Sequence, residues 1–436
     1  MKTLPKGWKE EKLSELIDKI IDYRGKTPKK LGLDWSEKGK YKALSAKSVK
    51  TGGLVNEEQI NLGNEELYKA WMKDEVEYND ILLTSEAPMG EVIIWKSEEK
   101  IILSQRLFAI RVKENISPDY MYYYFISKTY QSELLARSSG TTVVGIKQTE
   151  LLKTNVILPE SPDEQKEIAS ILSSFDKKIE LLKEQNHTLE TMAQTIFKEW
   201  FVDFNYPNAT GEMIDSEMGE IPKGWRVGIF DEIIEFINGY AFKSDELEKV
   251  EDIDSYAIFK MGHIKKGGGF NPTKTKDYIS KNQCTKLEKY ILKSGDILMC
   301  MTDMKDSTSL LGHTALMFED EKYIVNQRVG LIRPNNNVDI NYPWLYILTN
   351  SHGFISDLRN RANSGVQINL STSEIKNTKI IIPDKETNKL FNLLTLPIFE
   401  KMKNIYFQIQ TLEETRDSLL PKLMSGKTRI QGFKVD

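Results

Sequence analysis

The chain has 436 residues, 40% of them hydrophobic and 28% charged, and a formal net charge of −4. That length allows about two to four domains, and no apolar run approaches the ~18 residues of a membrane span. No apolar signal-peptide core follows Met1-Lys2-Thr3, so a membrane partner is not expected and the cytoplasm is the expected compartment.

The small negative charge neither supports nor excludes a nucleic-acid partner. Residues 1–160 are near neutral, whereas 161–205 carry an excess of roughly four acidic charges. Cys284 and Cys300 lack the spacing and partners of a four-ligand zinc site and are expected to be buried thiols. Neither a metal nor a cofactor is expected.

In chain order, Leu4-Pro5-Lys6-Gly7-Trp8 leads into β-branched and aromatic runs broken by turn residues. Asp80-Ile81-Leu82-Leu83-Thr84, Val92-Ile93-Ile94-Trp95 and Leu107-Phe108-Ala109-Ile110-Arg111-Val112 predict short strands. Asp119 to Arg137 predicts one helix with a proline near its start. Ser161-Pro162-Asp163-Glu164 then reads as an N-cap, a proline at the first helical position and a capping box. Behind it Ile168, Leu172, Phe175, Ile179, Leu182, Asn186, Leu189, Ala193, Ile196 and Trp200 fall at alternating steps of four and three. That is an a/d seam held for more than four heptads. Asn186 either sets the register at a cost in stability or is a solvated interruption of the stripe.

From residue 206 the pattern starts again. Ile221-Pro222-Lys223-Gly224-Trp225 repeats the opening, Asn326-Gln327-Arg328 repeats Ser104-Gln105-Arg106, and Asn363-Ser364-Gly365 repeats Ser138-Ser139-Gly140. The offset is roughly 220 residues, far too long for a solenoid. Tyr342 to Arg361 mirrors the earlier helix, and a second seam runs through Ile398, Met402, Ile405, Ile409, Leu412, Arg416, Leu419 and Leu423, with Pro397 and Pro421 bounding or kinking it.

These repeats describe a tandem duplication: a mixed domain at 1–160, a helical spacer at 161–205, a second mixed domain at 206–384, and a second spacer with the tail at 385–436. The expected fold class is α+β, two similar globular domains separated by two long helices. Each helix of about 35 residues spans roughly 50 Å. Pairing their stripes within the chain gives an antiparallel intramolecular coiled coil with pseudo-twofold symmetry.

Motifs that resemble catalytic centres dissolve on inspection. Asn341-Tyr342-Pro343-Trp344 lacks the first proline of an amino-methyltransferase motif. Gly426-Lys427-Thr428 has Pro421 where a P-loop needs glycine, and Gly267-Gly268-Gly269 is a turn. What remains is a set of polar loops at matching places in both halves, rich in the Arg, Lys, Asn, Ser and Thr that phosphates and base edges require.

The Pro-Lys-Gly-Trp segment, Tyr23-Arg24-Gly25-Lys26-Thr27-Pro28-Lys29, Gly239-Tyr240-Ala241-Phe242-Lys243-Ser244, the Gln-Arg turn and the Leu-Pro-x-Ser-Pro-x-Glu-Gln start of a long helix together resemble the specificity subunit of type I restriction–modification systems. The likeness runs the length of the chain. It implies a non-catalytic subunit whose two target-recognition domains each read half of a bipartite site in double-stranded DNA. It further implies that the paired helices, Ser161 to Phe204 and Lys385 to Lys427, set the spacing and dock two methyltransferase subunits and, through them, restriction subunits. The second helix start departs from the pattern, with Asp384-Lys385-Glu386-Thr387-Asn388 in place of Pro-x-Glu-Gln.

On this reading the DNA-contacting candidates of the first domain are Arg24, Lys26, Thr27, Lys29 and Lys47, with Thr84, Ser85 and Glu86 nearer the bases. Those of the second are Tyr240, Lys243, Lys260, His263 and Lys265, then Thr302 and Gln367. Arg106 and Arg328 are either phosphate contacts or structural hydrogen-bond donors. The helix-pairing candidates are Leu172, Phe175, Ile179, Leu182, Asn186 and Leu189 with Ile398, Ile405, Ile409, Leu412 and Leu419. A protein-interaction scaffold with twin binding domains and no DNA contact is the alternative.

Overall fold

The computed structural model describes residues 4–304, 309–335, 339–364 and 367–430. By internal contacts the chain forms two compact units, Met1–Leu181 with Gln410–Asp436, and Leu182–Ile409.

In the first unit a four-stranded antiparallel sheet has the order Ile17–Asp22, Leu107–Val112, Ile81–Thr84, Val92–Ile94. Successive side chains of a strand point to opposite faces, and here both faces are covered. Ile81, Leu83, Phe108 and Ile110 enter one core with Tyr120, Phe125, Ile168 and Leu172. Leu82, Leu107 and Ala109 enter a second with Tyr41, Leu44, Trp71 and Ile102. Burial on both sides is why these strands read as unbroken apolar runs. The second core is closed by a three-stranded sheet, Leu62–Gly63, Tyr41–Leu44, Ile102–Leu103, whose last pair is parallel.

The second unit repeats this plan strand for strand. Its four-stranded sheet runs Ile234–Asn238, Val329–Pro334, Ile297–Cys300, Thr314–Leu316. Its three-stranded sheet runs Tyr278–Ser280, Ser255–Phe259, Tyr323–Val325, again with the last pair parallel. Ile297, Met299 and Ile332 face one core, and Leu298, Cys300 and Leu331 the other. Cys284 and Cys300 are buried free thiols.

Each unit also closes on itself. Trp8–Lys12 pairs antiparallel with Asn155–Pro159, and Arg226–Ile229 pairs antiparallel with Lys379–Ile382. In each domain an early strand therefore lies beside the last one, immediately before a long helix; in the second domain the hairpin of Met213–Ser216 and Gly219–Pro222 precedes it.

Two expectations about helices are corrected. The segment 119–137 is two helices, Pro118–Ile126 and Lys128–Ala136, and its counterpart is likewise Tyr342–Asn350 and His352–Arg361. Ser127 and Ser351 adopt extended backbone and their hydroxyls accept from the amides of Tyr130 and Phe354. Each serine thus ends one helix and caps the next. The second long helix spans Lys385–Met424 without a break, so Pro397 and Pro421 do not bound it; each removes one backbone donor from its interior.

Both long helices contain 40 residues, Pro162–Phe201 and Lys385–Met424. In the first unit Ile168, Ala169 and Leu172 share a core with Leu423 and Met424. There Arg416 Nη1 binds Asp176 at 2.6 Å, and Tyr123 Oη donates to the same carboxylate at 2.5 Å. In the second unit Ala193, Phe197, Trp200 and Phe201 share a core with Phe391, Phe399 and Met402. Asn186 Nδ2 donates to the Met402 carbonyl at 3.5 Å. Of the seam residues, Leu172, Ile179, Leu182 and Ile405 are buried, while Phe175, Asn186, Leu189, Ile398, Ile409, Leu412 and Leu419 are half-buried.

The two helix starts use different chemistry for one purpose. Ser161 Oγ accepts from the Glu164 amide at 3.4 Å, which leaves the Glu164 carboxylate to accept from Trp8 Nε1 at 3.2 Å. In the second unit Asp384 does both: it accepts from the Thr387 amide at 2.9 Å and from Trp225 Nε1 at 2.8 Å. The departure from Pro-x-Glu-Gln merges two roles in one carboxylate.

Candidate nucleic-acid interface

In the first unit the loop after Ile17–Asp22, the turn after Tyr41–Leu44 and the Gln-Arg turn converge on one open cleft of about 490 Å³. Thr27, Lys29 and Lys47 line it together with Asn61, Gln105 and Arg106. Thr27 holds the short helix Pro28–Leu31, its side chain accepting from the Lys30 amide. Neither Lys29 nor Lys47 has a side-chain partner among the described residues. Arg106 sits on the cleft edge and its Nε binds Glu86 at 3.0 Å. Both side chains of that pair are largely solvent-exposed, so it is weak and screened.

Other first-unit candidates serve the fold. Arg24 binds Asp22 through Nε and Nη2, both at 2.8 Å, and its guanidinium lies 4.0 Å above the Phe108 ring centre. Lys26 donates to the Trp71 carbonyl and covers the Tyr23 ring; burial, and then the neighbouring Lys73, lower its pKa. Thr84 and Ser85 are buried. The Thr84 hydroxyl accepts from the Glu91 amide at 2.8 Å, and the Ser85 hydroxyl has no partner among the described residues. A buried hydroxyl cannot reach a base edge, so both leave the set of direct contacts.

The matching loop of the second unit lies against its own Gln-Arg turn. The Gln327 amide donates to the Tyr240 carbonyl at 2.8 Å, and a Cβ at Gly239 would meet the Asn326 carbonyl oxygen at 2.0 Å. Only glycine permits that approach. It leaves Tyr240 exposed, packed against Phe242 and Tyr290 at 4.9 and 5.4 Å between ring centres. Lys243 and Lys265 are exposed. Lys260 binds Asp277 at 2.6 Å, and Lys249 binds the same carboxylate.

His263 and Thr302 leave the set. The His263 ring is buried, stacks on Phe259 and contacts Thr275 Oγ1 through Nε2 at 3.0 Å, and burial lowers its pKa. Thr302 is buried and donates to Asn369 Oδ1 at 2.9 Å. The side chain of Gln367 lies outside the described residues.

Two features escaped the sequence reading of single loops. Arg106 and Arg328 both have left-handed backbone, with φ of +64° and +71°. Their carbonyls accept from the amides of Ser85 and Met301, at 2.8 and 3.1 Å. At the other end of the strands that these turns begin, a buried aspartate holds an arginine in a fork. Asp80 binds Arg111 Nε and Nη2 at 2.9 and 2.8 Å, and Asp296 binds Arg333 Nε and Nη2 at 2.7 and 2.8 Å. The recurrence of Asp-Ile-Leu and of the later Arg was the available signal.

A type I restriction–modification DNA specificity domain matches the chain twice, over residues 5–191 and 222–415. The chain belongs to the type I specificity family. The specificity subunit of the type I restriction enzyme MjaIX from Methanocaldococcus jannaschii is 30% identical over 356 residues, covering 80% of this chain and 78% of that one. The MjaVIII specificity subunit of the same organism is 25% identical over 444 residues, covering 99% and 95%. Among solved structures, the type I S subunit of M. genitalium shares the fold with a TM-score of 0.55 at 16% identity, over 97% of each chain. Membership of this type I specificity family agrees with the duplicated plan of mixed domains and long helices. Among the described residues no helix is long and apolar enough to cross a membrane, and no group of three or more His, Cys, Asp or Glu could hold a metal.

Proposed function

We propose that this chain is the non-catalytic, cytoplasmic DNA-reading subunit of a type I restriction–modification complex. Its recognition domains, 1–160 and 206–384, each read one half of a bipartite site in double-stranded DNA. The spacers, 161–205 and 385–436, set the distance between half-sites and dock two methyltransferase subunits, through which restriction subunits join. The observation that carries this reading is that one scaffold occurs twice with different polar side chains at the same edge. Lys29, Lys47 and Arg106 supply cations to the first cleft; Lys243, Lys265 and Arg328 are exposed cations of the second unit, which also exposes the Tyr240 ring. Cations neutralise phosphates and supply affinity, while the polar and aromatic groups between them discriminate bases.

The test is long-read methylome sequencing of a host carrying the chain with its methyltransferase subunit. A methylated two-part motif with a fixed spacer is expected. A continuous motif, or none, together with no duplex binding in a mobility-shift assay of the assembled complex, refutes the reading.

A further inference from the structure

Residues Ser139 to Gly145 form a closed finger next to the first cleft. The Ser139 amide donates to the Gly145 carbonyl at 2.9 Å, and the Gly145 amide returns the bond at 3.0 Å. The finger's base is fixed to the sheet: Gly145 bridges to Glu86, and the Ile146 amide donates to the Ser85 carbonyl at 2.9 Å. Gly140 has φ +115°, and a Cβ there would lie 2.1 Å from the Val143 carbonyl oxygen. The closure is therefore specific to this backbone.

Its tip, Thr141 to Val144, is exposed throughout. Val143 and Val144 keep 47% and 39% of their surface in water, which leaves part of each side chain open to contact. With Ala87, Pro88, Met89 and Leu135 they line an apolar depression of about 410 Å³. It adjoins Glu86, the partner of Arg106 on the cleft edge. A patch of these six apolar side chains, with Thr142 beside them, is far below the ~800 Å² per partner of a stable protein interface. It is larger than one methyl group, but Val143 and Val144 hold their own methyl groups on it, and it is joined to the cationic cleft through the Glu86–Arg106 pair. The apolar group a base pair offers on its major-groove edge is the 5-methyl of thymine.

We propose that this finger reads an A·T pair in the major groove, with the methyl groups of Val143 and Val144 receiving the thymine methyl. This rests on the DNA-recognition reading above. The flanking Thr141 and Thr142 hydroxyls are suited to hydrogen-bond the neighbouring base edges.

The experiment is a competition assay with the full chain assembled with its methyltransferase subunit. The duplexes carry the methylated motif with each thymine of both half-sites replaced singly by uracil, which removes only the methyl. In the unaltered protein one position should weaken binding about fourfold, the worth of one buried methyl group. The V143S/V144S variant should bind the thymine duplex that much more weakly and no longer distinguish thymine from uracil there, with its salt slope unchanged. A flat uracil scan in the unaltered protein, which needs no variant to fold, overturns the finger's role. So does a discriminating position that survives in the variant, or a variant that loses its methyltransferase partner while keeping the methyl effect. Failure of the underlying reading looks different: the unaltered complex would bind no duplex in a sequence-dependent way at any salt concentration.

Discussion

Arg106 and Arg328 carry the same cost at the same turn. Left-handed backbone disfavours a residue with a Cβ by about 1–2 kcal/mol, and here it is met twice, at φ +64° and +71°. What it secures is local, a carbonyl aimed at the amide ending the Ile81–Thr84 or Ile297–Cys300 strand. The side chain is not needed for that bond; at the second turn, Arg328 is exposed. Arg328→Gly should raise thermal stability by about 1 kcal/mol while reducing the salt slope of DNA binding by about one. Loss of stability in a denaturant titration would refute the strain argument. The lysines separate in the same way. Lys29→Ala with Lys47→Ala should leave the melting temperature in place and lower the salt slope by about two. Lys26→Ala, which removes the donor to the Trp71 carbonyl, should lower the melting temperature and leave the slope alone. This division was not legible in the sequence. Arg24, Lys26, Thr84, Ser85, His263 and Thr302 are polar residues beside turns, as are Lys29 and Lys47. Only the packing of Phe108, Trp71 and Phe259 shows which of them the fold has already engaged.

Elements repeat more faithfully than loops because each rests on one strong local device. The Asp80–Arg111 and Asp296–Arg333 forks tie the loops before Ile81–Thr84 and Ile297–Cys300 to the strands beside them. Removing one partner of a buried pair leaves the other uncompensated, at a cost of about 3–5 kcal/mol. Asp296→Ala should therefore destabilise the second unit by that order in urea unfolding, whereas exposed Lys379→Ala should have little effect. The Asp384 start makes a pH prediction. Burial works to raise its carboxyl pKa, but the bonds from the Thr387 amide and hydroxyl and from Trp225 outweigh this and hold it below its ordinary 3.8. A group depressed on folding contributes stability above its unfolded value and loses it as pH falls through the folded one. The deficit of Asp384→Asn should thus be present at neutral pH, begin to shrink as pH falls below the ordinary 3.8, and disappear only once pH is below the lowered folded value. A deficit independent of pH would show that the charge is not what Asp384 contributes. The strands and long helices were readable because burial leaves apolar runs and stripes. The breaks at Ser127 and Ser351 were not, since a serine inside an apolar helix caps or merely faces water according to backbone angles that periodicity does not report.

The duplication itself was the most legible property of the chain, because it needs only order and offset, not geometry. On the proposed function, spacing between half-sites belongs to the long helices. Each has 40 residues, or about 60 Å at 1.5 Å per residue. Inserting four residues within Ile179–Leu189, with four matched opposite them in the second helix, should lengthen the methylated motif's spacer. An unchanged spacer in the methylome would show that the helices do not measure it. The closing strands of each domain have a further consequence. Because Trp8–Lys12 lies beside Asn155–Pro159, and Arg226–Ile229 beside Lys379–Ile382, each domain leaves its neighbours at a single seam. The stretch between those paired strands can be exchanged for the corresponding stretch of a relative that keeps the side chains packed on the helix, Tyr120, Tyr123 and Phe125 in the first unit, and the tryptophan with its carboxylate. On the proposed function, recombination between such genes would create a new half-site in one step and leave the other half unchanged.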